Sequence, residues 1–207
     1  LKKQEGEYVD SSFAYGFDLD KRNQRFQTSD GYRSRFNQSI PIITEDTAFF
    51  NSYEFTTFNQ IKEIVTKLSI QARAINSITD EDVRVSKRLY VASKRLRGFE
   101  RNKIGPIDGK DHIGGNYAAA LNFETTLPNI LPDSTNTDIS LFLDFGNLWG
   151  VDYDSSLDES NELRSSTGVA ASWLSPLGPM TFIFSTNLSK ASTDKTESFS
   201  FNLGTTF

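Results

Sequence analysis

Residues 139–146 read ISLFLDFG, and the alternation in this stretch decides the fold. Its odd-numbered positions are all Ile, Leu or Phe, whereas its even-numbered positions are Ser140, Phe142, Asp144 and Gly146. A period of two residues places these two sets on opposite faces of a β-strand. The stretch therefore predicts a strand with one apolar face and one face that tolerates a carboxylate and small side chains.

The same period recurs along the whole chain. It is clearest in segments 13–19, 116–124, 180–188 and 198–207, each of which has large apolar side chains on one face. Other segments alternate less regularly but are rich in aromatic, Thr, Val and Ile residues, which favour strands: 31–42, 47–58, 62–75 and 163–174. We therefore predict an all-β, antiparallel fold of about nine strands.

The composition limits the domain count and excludes several classes of function. The 207 residues are enough for one sizeable domain, and the net charge of −5 gives no reason to expect nucleic acid as a partner. The absence of cysteine removes disulfides, thiolate nucleophiles and Cys-ligated zinc. The chain begins at Leu1 without a signal-peptide pattern, and its single methionine is Met180, so we expect it to be a C-terminal piece that lacks N-terminal sequence.

Strand and turn lengths favour a membrane barrel over a soluble β-sandwich. No run approaches the ~18 apolar residues of a membrane helix, but several segments approach the ~9–11 residues of a tilted membrane strand. Short turns alternate with longer connections, as in outer-membrane barrels. A sandwich would also alternate. The barrel is favoured because the apolar positions are unusually aromatic and the opposite faces carry Asp18, Glu124 and Asp144, as a wet lumen would allow.

Residues from about 76 to 115 interrupt the regular spacing, and a loop of this size in a compact domain is usually functional or disordered. Between Arg84 and Lys103 it is strongly basic, with Glu100 the only acid. Three interpretations are open. The first is a patch that binds lipopolysaccharide phosphate or nucleic acid, and the second is a solvated loop. The third is a segment in which a lumen carboxylate holds an arginine inside the barrel.

The inventory of residues argues against an enzyme. His112 is the only histidine, so a catalytic triad or a His-rich metal site lacks partners, and we expect a solvated loop residue. Acidic clusters at 80–82 and 152–159 lack the spacing of a calcium loop, so we expect solvated charge, with weak Ca²⁺ binding as a minor alternative. No catalytic residue, metal site or cofactor is predicted.

Three short motifs stand out within and after the basic run: Arg97-Gly98-Phe99, Ile104-Gly105-Pro106 and Gly114-Gly115-Asn116. Together with FLDFGNLWG (142–150), WLSPLGPMTFIFS (173–185) and ESFSFNLGTTF (197–207), they make the chain resemble the bacterial surface antigen family of outer-membrane protein assembly factors. The resemblance covers essentially the whole chain. It implies that residues 1–207 are about nine C-terminal strands of a sixteen-stranded barrel, without the family's first seven strands and periplasmic POTRA domains.

The resemblance also implies where the long loop of about 76–115 is held. In the family the loop folds into the lumen, and its Arg-Gly-Phe tip, here Arg97, Gly98 and Phe99, lies against the inner wall; Ile104, Gly105 and Pro106 complete the loop motif. The acceptor strand of the family reads aromatic-x-Asp-x-Gly, which matches Phe142, Asp144 and Gly146. Since the alternation independently places Asp144 on the inner face, we expect an ion pair between Arg97 and Asp144.

The family implies two further features at the end of the chain. One is a C-terminal strand signal for insertion, matched by Phe201 and Phe207. The other is a lateral gate between the last and first strands of the barrel. Gly204 would weaken that edge, because glycine has no side chain to pack.

The implied function is a central role in assembling outer-membrane β-barrel proteins, by folding client proteins and inserting them through the gate in a Gram-negative bacterium. The implied partners are outer-membrane lipids and lipopolysaccharide, unfolded clients, and assembly-complex lipoproteins that bind mainly the missing N-terminal domains. Two alternatives stay open: a two-partner-type polypeptide secretion transporter of the same superfamily, and a small structural or pore-forming outer-membrane barrel.

Overall fold

The computed structural model describes residues 9, 11–25, 27–42, 47–79, 82–128, 130–132, 135, 137–152, 157, 161–175 and 178–204. These residues form eleven strands. The strands are β1 (Ser12–Asp20), β2 (Gly31–Pro41), β3 (Ala48–Ile61), β4 (Ile64–Ser77), β5 (Ile107–Asp108), β6 (Asp111–His112), β7 (Tyr117–Leu127), β8 (Thr137–Trp149), β9 (Arg164–Ser175), β10 (Gly178–Ser189) and β11 (Phe199–Leu203).

Nine of these strands form one antiparallel sheet in the order β1-β2-β3-β4-β7-β8-β9-β10-β11. Each strand therefore pairs with its neighbours in the chain, apart from the short hairpin β5–β6, which lies in the connection between β4 and β7. The tightest connection joins β3 to β4 by two residues, with Ile61 paired to Ile64 and Lys62 in the left-handed region at φ 58°. The prediction of about nine antiparallel strands is confirmed.

The two faces of the sheet differ as the alternation predicts. In β8 the side chains of Phe142, Asp144 and Leu148 are at most 2% exposed, whereas Leu141 on the other face is 42% exposed. Large apolar side chains of other strands are also exposed, including Phe17, Phe184 and Leu203. Several strands thus expose large apolar side chains on the same face. This pattern suits a surface in contact with lipid and not a soluble sandwich, which would bury these side chains.

The long loop, residues 78–116, covers the opposite face of the sheet, which we call the inner face. Its described part contains two 3₁₀ turns, Val85–Lys87 and Ser93–Arg95, besides the hairpin β5–β6. Its apolar side chains pack with those of the inner face in one cluster: Ile75, Val83, Leu89, Val91, Leu96, Phe99, Ile104, Ala118 and Leu148. Among the described residues no helix is both long enough and apolar enough to cross a membrane.

Over the described residues, which end at Gly204, the last strand of the sheet has the shortest pairing. β11 pairs with β10 at five positions, from Phe184↔Phe199 to Met180↔Leu203, whereas β10 pairs with β9 at eleven. On the outer face Phe182 lies against Phe201 and Phe184 against Phe199, with ring centroids 5.1 Å apart in both pairs. Cross-strand aromatic contacts of this kind compensate in part for a short ladder of hydrogen bonds.

Candidate functional site on the inner face

Arg97 leaves the second 3₁₀ turn of the long loop and points at the inner face of β8. Its Nε donates to Asp144 Oδ2 at 2.7 Å, and its Nη2 donates to Asp144 Oδ1 at 2.8 Å. The backbone N–H of Arg97 donates to the same carboxylate at 3.1 Å. Two parallel charge-assisted bonds fix both the distance and the plane of the guanidinium. Arg97 and Asp144 thus form a two-pronged ion pair.

Two further groups complete the surroundings of Arg97. Its Nη1 donates to Glu124 Oε2 on β7 at 2.8 Å, and its guanidinium carbon lies 3.7 Å from the ring centroid of Phe142. Burial alone would lower the pKa of Arg97, but the hydrogen bonds and charges of Asp144 and Glu124 outweigh it, so this pKa lies above its ordinary value. Since Asp144 is fully buried, removal of its cation is expected to cost about 3–5 kcal/mol.

The backbone of the loop tip is held by the strands that follow. Ser166 on β9 donates its hydroxyl to the carbonyl of Arg97, and Asn187 on β10 donates to the carbonyl of Gly98 at 2.9 Å. Gly98 has φ +90°, and a Cβ added there would meet Asn187, Ser185 and Ser166 side chains at 3.2–3.3 Å. Both the backbone conformation and the close approach therefore require glycine.

The tip also pairs with the connection between β10 and β11. Phe99 and Thr196 form an isolated antiparallel bridge, and the N–H of Glu197 donates to the carbonyl of Gly98 at 3.1 Å. Farther along, the N–H of Glu100 donates to the carbonyl of Lys195 at 3.0 Å. The long loop is thus hydrogen-bonded to the chain segment that leads into the last strand.

The remaining motif residues form the base of this site. Ile104, Gly105 and Pro106 are buried, and Gly105 has φ +87° with the Leu148 side chain only 2.8 Å from where a Cβ would lie. Gly146 on β8 leaves space for Leu96, whose side-chain carbons lie 3.3–3.4 Å from the position of an added Cβ. The structure therefore brings together the predicted loop motif and the predicted wall residues Phe142, Asp144 and Gly146.

Arg95 is a second arginine on the tip that motif reasoning missed. Its Nη1 donates to Ser69 Oγ on β4 at 2.5 Å, and its Nη2 lies 2.5 Å from Glu54 Oε1 on β3. The side-chain amide of Asn122 on β7 donates both to the carbonyl of Arg95 at 2.7 Å and to Asp144 at 2.9 Å. The only sequence signal for Arg95 is its place in the basic run.

Two more buried arginines form ion pairs that were not predicted. Arg88 donates to Asp152 at 2.9 Å, and Asp152 also accepts the N–H of Val83 at 3.0 Å. Arg164 donates to both oxygens of Asp194, at 2.9 and 3.0 Å, with both side chains fully buried. Asp152 is exposed, as expected for loop charge, although it pairs with Arg88. The solvated-loop interpretation of the basic run is wrong for its buried members Arg88, Arg95 and Arg97.

His112 is half-buried on β6, in contrast to the expected solvated loop position, and its Nδ1 is buried without a hydrogen-bond partner. Burial lowers the pKa of His112, and the positive charge of Lys103 lowers it further. Within the described part of the chain, no group of three His, Asp or Glu side chains is arranged to hold a metal ion.

The residues predicted at the chain end lie apart from this site. Phe201 faces outward on β11 at 47% exposure. Gly204 follows β11 and donates its N–H to the carbonyl of Pro179 at 2.8 Å. Phe207 lies outside the described residues, as do Asp80 and Glu81 of the first acidic cluster.

A sheet of antiparallel strands with an apolar outer face, and a long loop anchored to its polar inner face, defines an outer-membrane β-barrel protein. The Omp85 superfamily domain matches residues 1–207, and the chain belongs to this superfamily. It is therefore a protein of the outer membrane of a Gram-negative bacterium.

Individual relatives agree with this assignment. The chain is 28% identical to the outer membrane protein assembly factor BamA of Neorickettsia risticii, over all of this chain and 29% of that protein. It is 35% identical to BamA of Neisseria meningitidis serogroup B, over 54% of this chain and 17% of that protein. The chain thus spans less than a third of the length of these curated relatives, which are named as assembly factors and not as enzymes.

The fold is also that of a solved barrel. The crystal structure of BamA from Haemophilus ducreyi lacking POTRA domains 1–3 matches with a TM-score of 0.83 and 21% sequence identity, over 92% of this chain and 41% of that chain. The inner face described above therefore corresponds to the inside of a barrel. We refer to that interior as the lumen.

Proposed function

We propose that this chain is the barrel part of a central component of outer-membrane protein assembly, which folds client β-barrel proteins and inserts them into the membrane. The observation that carries the proposal is the similarity over the whole chain to a relative named as an outer membrane protein assembly factor. The proposed clients are unfolded outer-membrane proteins. No nucleotide or catalytic side chain takes part in the proposed mechanism.

The proposed route of insertion is a lateral gate at β11. An open strand edge offers unpaired N–H and C=O groups, and a client strand gains hydrogen bonds by adding to it. Over the described residues β11 pairs with β10 at five positions and β9 pairs with β10 at eleven, and a ladder with fewer hydrogen bonds opens at a lower cost, which supports this role. Phe201, Phe207 and Gly204 are proposed to serve as strand signal and weak edge of this gate.

The proposed role of the loop motif is to hold the tip while the gate opens and closes. Arg97 binds the wall strands β7 and β8, and Gly98 and Phe99 bind the connection that leads to β11. A displaced tip would therefore remove hydrogen bonds from the connection that leads into β11. Outer-membrane lipids and lipopolysaccharide are the proposed partners of the apolar outer face, and assembly lipoproteins are proposed to bind mainly domains outside this chain.

The test is charge reversal in the full-length parent protein. Arg97→Glu and Asp144→Arg are each expected to lower the amount of folded outer-membrane proteins in cells depleted of the wild-type parent, because each leaves a buried charge unpaired. In the double variant the two reversed charges pair again, so part of the loss is expected to be recovered. Recovery is expected to be incomplete, because the glutamate introduced at position 97 would lie beside the like charge of Glu124. Lys110→Glu, an exposed change on the β5–β6 turn, is the matched control.

Wild-type levels of folded clients in both single variants would refute the proposed role of the pair. Impaired single variants without any recovery in the double variant would refute direct pairing as its basis. If a secreted polypeptide accumulates inside the cells while outer-membrane proteins fold normally, the secretion transporter is the correct function.

A further inference from the structure

Arg73 on β4 differs from the buried arginines of the inner face. Arg88, Arg95, Arg97 and Arg164 each lie within 2.5–2.9 Å of a carboxylate oxygen. Arg73 is half-buried, yet no carboxylate of the described residues pairs with it. Its contacts are the carbonyl of Tyr90, which accepts from Nη1 at 3.2 Å, and the ring of Phe50, 5.5 Å from the guanidinium carbon. A cation removed from water normally has an anion beside it.

Two cavities meet at Arg73. One has a volume of about 300 Å³, and its polar side chains are Ser11, Ser12, Ser39, Arg73, Lys87 and Arg88. The other has a volume of about 500 Å³, and its polar side chains are Arg73, Arg88, Tyr90, Ser93, Lys94, Arg101, Asn102 and Asn202. Among the described residues that line the two cavities there is no Asp or Glu.

The described lining is thus more basic than the chain as a whole, which carries 27 acidic and 22 basic residues. Lys94 and Arg101 are exposed at the larger cavity, and no carboxylate of the described residues forms an ion pair with either. Hydroxyl, amide and cationic groups provide hydrogen-bond donors and positive charge. Such a lining attracts an oxyanion and rejects a neutral or cationic ligand.

The geometry of Arg73 suits a carboxylate or a phosphate, and the cations beside it favour the more highly charged phosphate. With Nη1 bonded to the Tyr90 carbonyl, Nε and Nη2 remain as the two parallel donors that engage two oxygens of one anion. Lys94 and Arg101 add point charges that a multiply charged group uses best. Cavities of about 300 and 500 Å³ hold a phosphate together with a small attached group, such as a sugar or a lipid head group.

We propose that Arg73, Lys94 and Arg101 form a binding site for a phosphate-bearing ligand in the lumen, beside the long loop. The phosphate belongs either to a lipid head group or to a free phosphate ester. The site is independent of the Arg97 anchor, because it shares none of the carboxylates of that anchor. It also does not depend on the assembly function, so binding is measured without clients.

The test measures binding of inorganic phosphate, and separately of a water-soluble short-chain phosphatidic acid, to the detergent-solubilised full-length parent by titration calorimetry at low salt. Arg73→Gln is expected to lower the affinity for both ligands by about tenfold or more, and the double variant Lys94→Gln/Arg101→Gln is expected to lower it by several-fold. Arg73→Lys keeps the charge but loses the two-pronged geometry, so its affinity for both ligands is expected to lie between those of the wild type and Arg73→Gln. Arg25→Gln, an exposed arginine between β1 and β2, is the control.

Folding of each variant is checked by its shift on unheated gels. Tighter binding of the phosphatidic acid than of phosphate identifies a lipid head group, and equal affinity identifies a free phosphate ester. Binding by a folded Arg73→Gln variant at wild-type affinity overturns the proposal, as does the absence of saturable binding of both ligands to the wild type up to about 10 mM. If Arg73→Gln does not fold, unchanged binding in the Lys94→Gln/Arg101→Gln variant overturns it.

Discussion

At the scale of single residues, the loop tip is held by two arginines that reach in opposite directions. Arg97 reaches Glu124 and Asp144 on β7 and β8, while Arg95 reaches Glu54 and Ser69 on β3 and β4. Asn122 stands between them and donates both to Arg95 and to Asp144. One short stretch of loop thus joins four consecutive strands of the sheet, β3, β4, β7 and β8.

The second anchor gives a prediction for Arg95. Arg95→Glu places two carboxylates together and is expected to increase proteolysis of the loop in the folded parent. Glu54→Arg is expected to do the same, because Arg95 then faces a like charge. The loss of the hydrogen-bonded charge pair is expected to cost about 1–3 kcal/mol. The reversed pair Arg95→Glu/Glu54→Arg is expected to restore part of the protection, whereas Lys110→Glu leaves it unchanged; equal cleavage rates in all variants would contradict the anchor.

At the scale of elements, the described part of the last hairpin has a short hydrogen-bond ladder, so side-chain contacts contribute strongly to its stability. The two aromatic pairs between β10 and β11 face outward, where each is expected to contribute about 0.5–1.5 kcal/mol beyond its buried area. On the other side, the loop tip pairs with the connection between these strands. The position of β11 is therefore determined from both faces of the sheet.

The predicted consequence is a looser edge when the aromatic pairs are removed. Phe199→Ala/Phe201→Ala is expected to lower the yield of a disulfide engineered between the paired positions 181 and 202, through Thr181→Cys and Asn202→Cys. The chain has no other cysteine to compete. Leu203→Ala is the matched control, since Leu203 lies on the same strand, is 57% exposed against 47% for Phe199 and Phe201, and carries no aromatic ring. An unchanged disulfide yield would show that hydrogen bonds alone hold β11.

At the scale of the whole molecule, the long loop and the inner face form one packed unit. The loop contributes Leu89, Leu96, Phe99 and Ile104 to the main apolar cluster. Its arginines Arg95 and Arg97 form ion pairs with carboxylates of the strands. The described part of the loop therefore covers the inner face, which a passive pore would leave open to water. This arrangement makes the pore-forming alternative testable.

Replacement of residues 84–112 by a short Gly-Ser linker in the full-length parent is expected to increase the single-channel conductance in planar bilayers. The physical reason is that bulky side chains leave the lumen and water and ions replace them. Replacement of residues 23–29, in the connection between β1 and β2, is the control of similar kind. Steady channels of equal conductance with and without the loop would mean that the loop does not obstruct the lumen and would support a pore.

The amino-acid sequence by itself determines the strands, their faces and the inward position of Asp144. The two-residue period is a local property, so 139–146 could be assigned a face without knowledge of any partner. The Arg97 contact with Asp144 was also anticipated, although only through a resemblance in motifs. Glu124 could be placed on the inner face but not beside Arg97.

Only the tertiary structure decided which carboxylate pairs with each of the remaining arginines. Arg88 meets Asp152 across 64 residues and Arg164 meets Asp194 across 30, while Arg95 reaches back to Glu54. No period or spacing encodes such pairs, because they arise when the sheet brings distant strands beneath one folded loop. The same reason applies to Arg73. That no carboxylate of the described residues pairs with it becomes visible only when its neighbours in space are known.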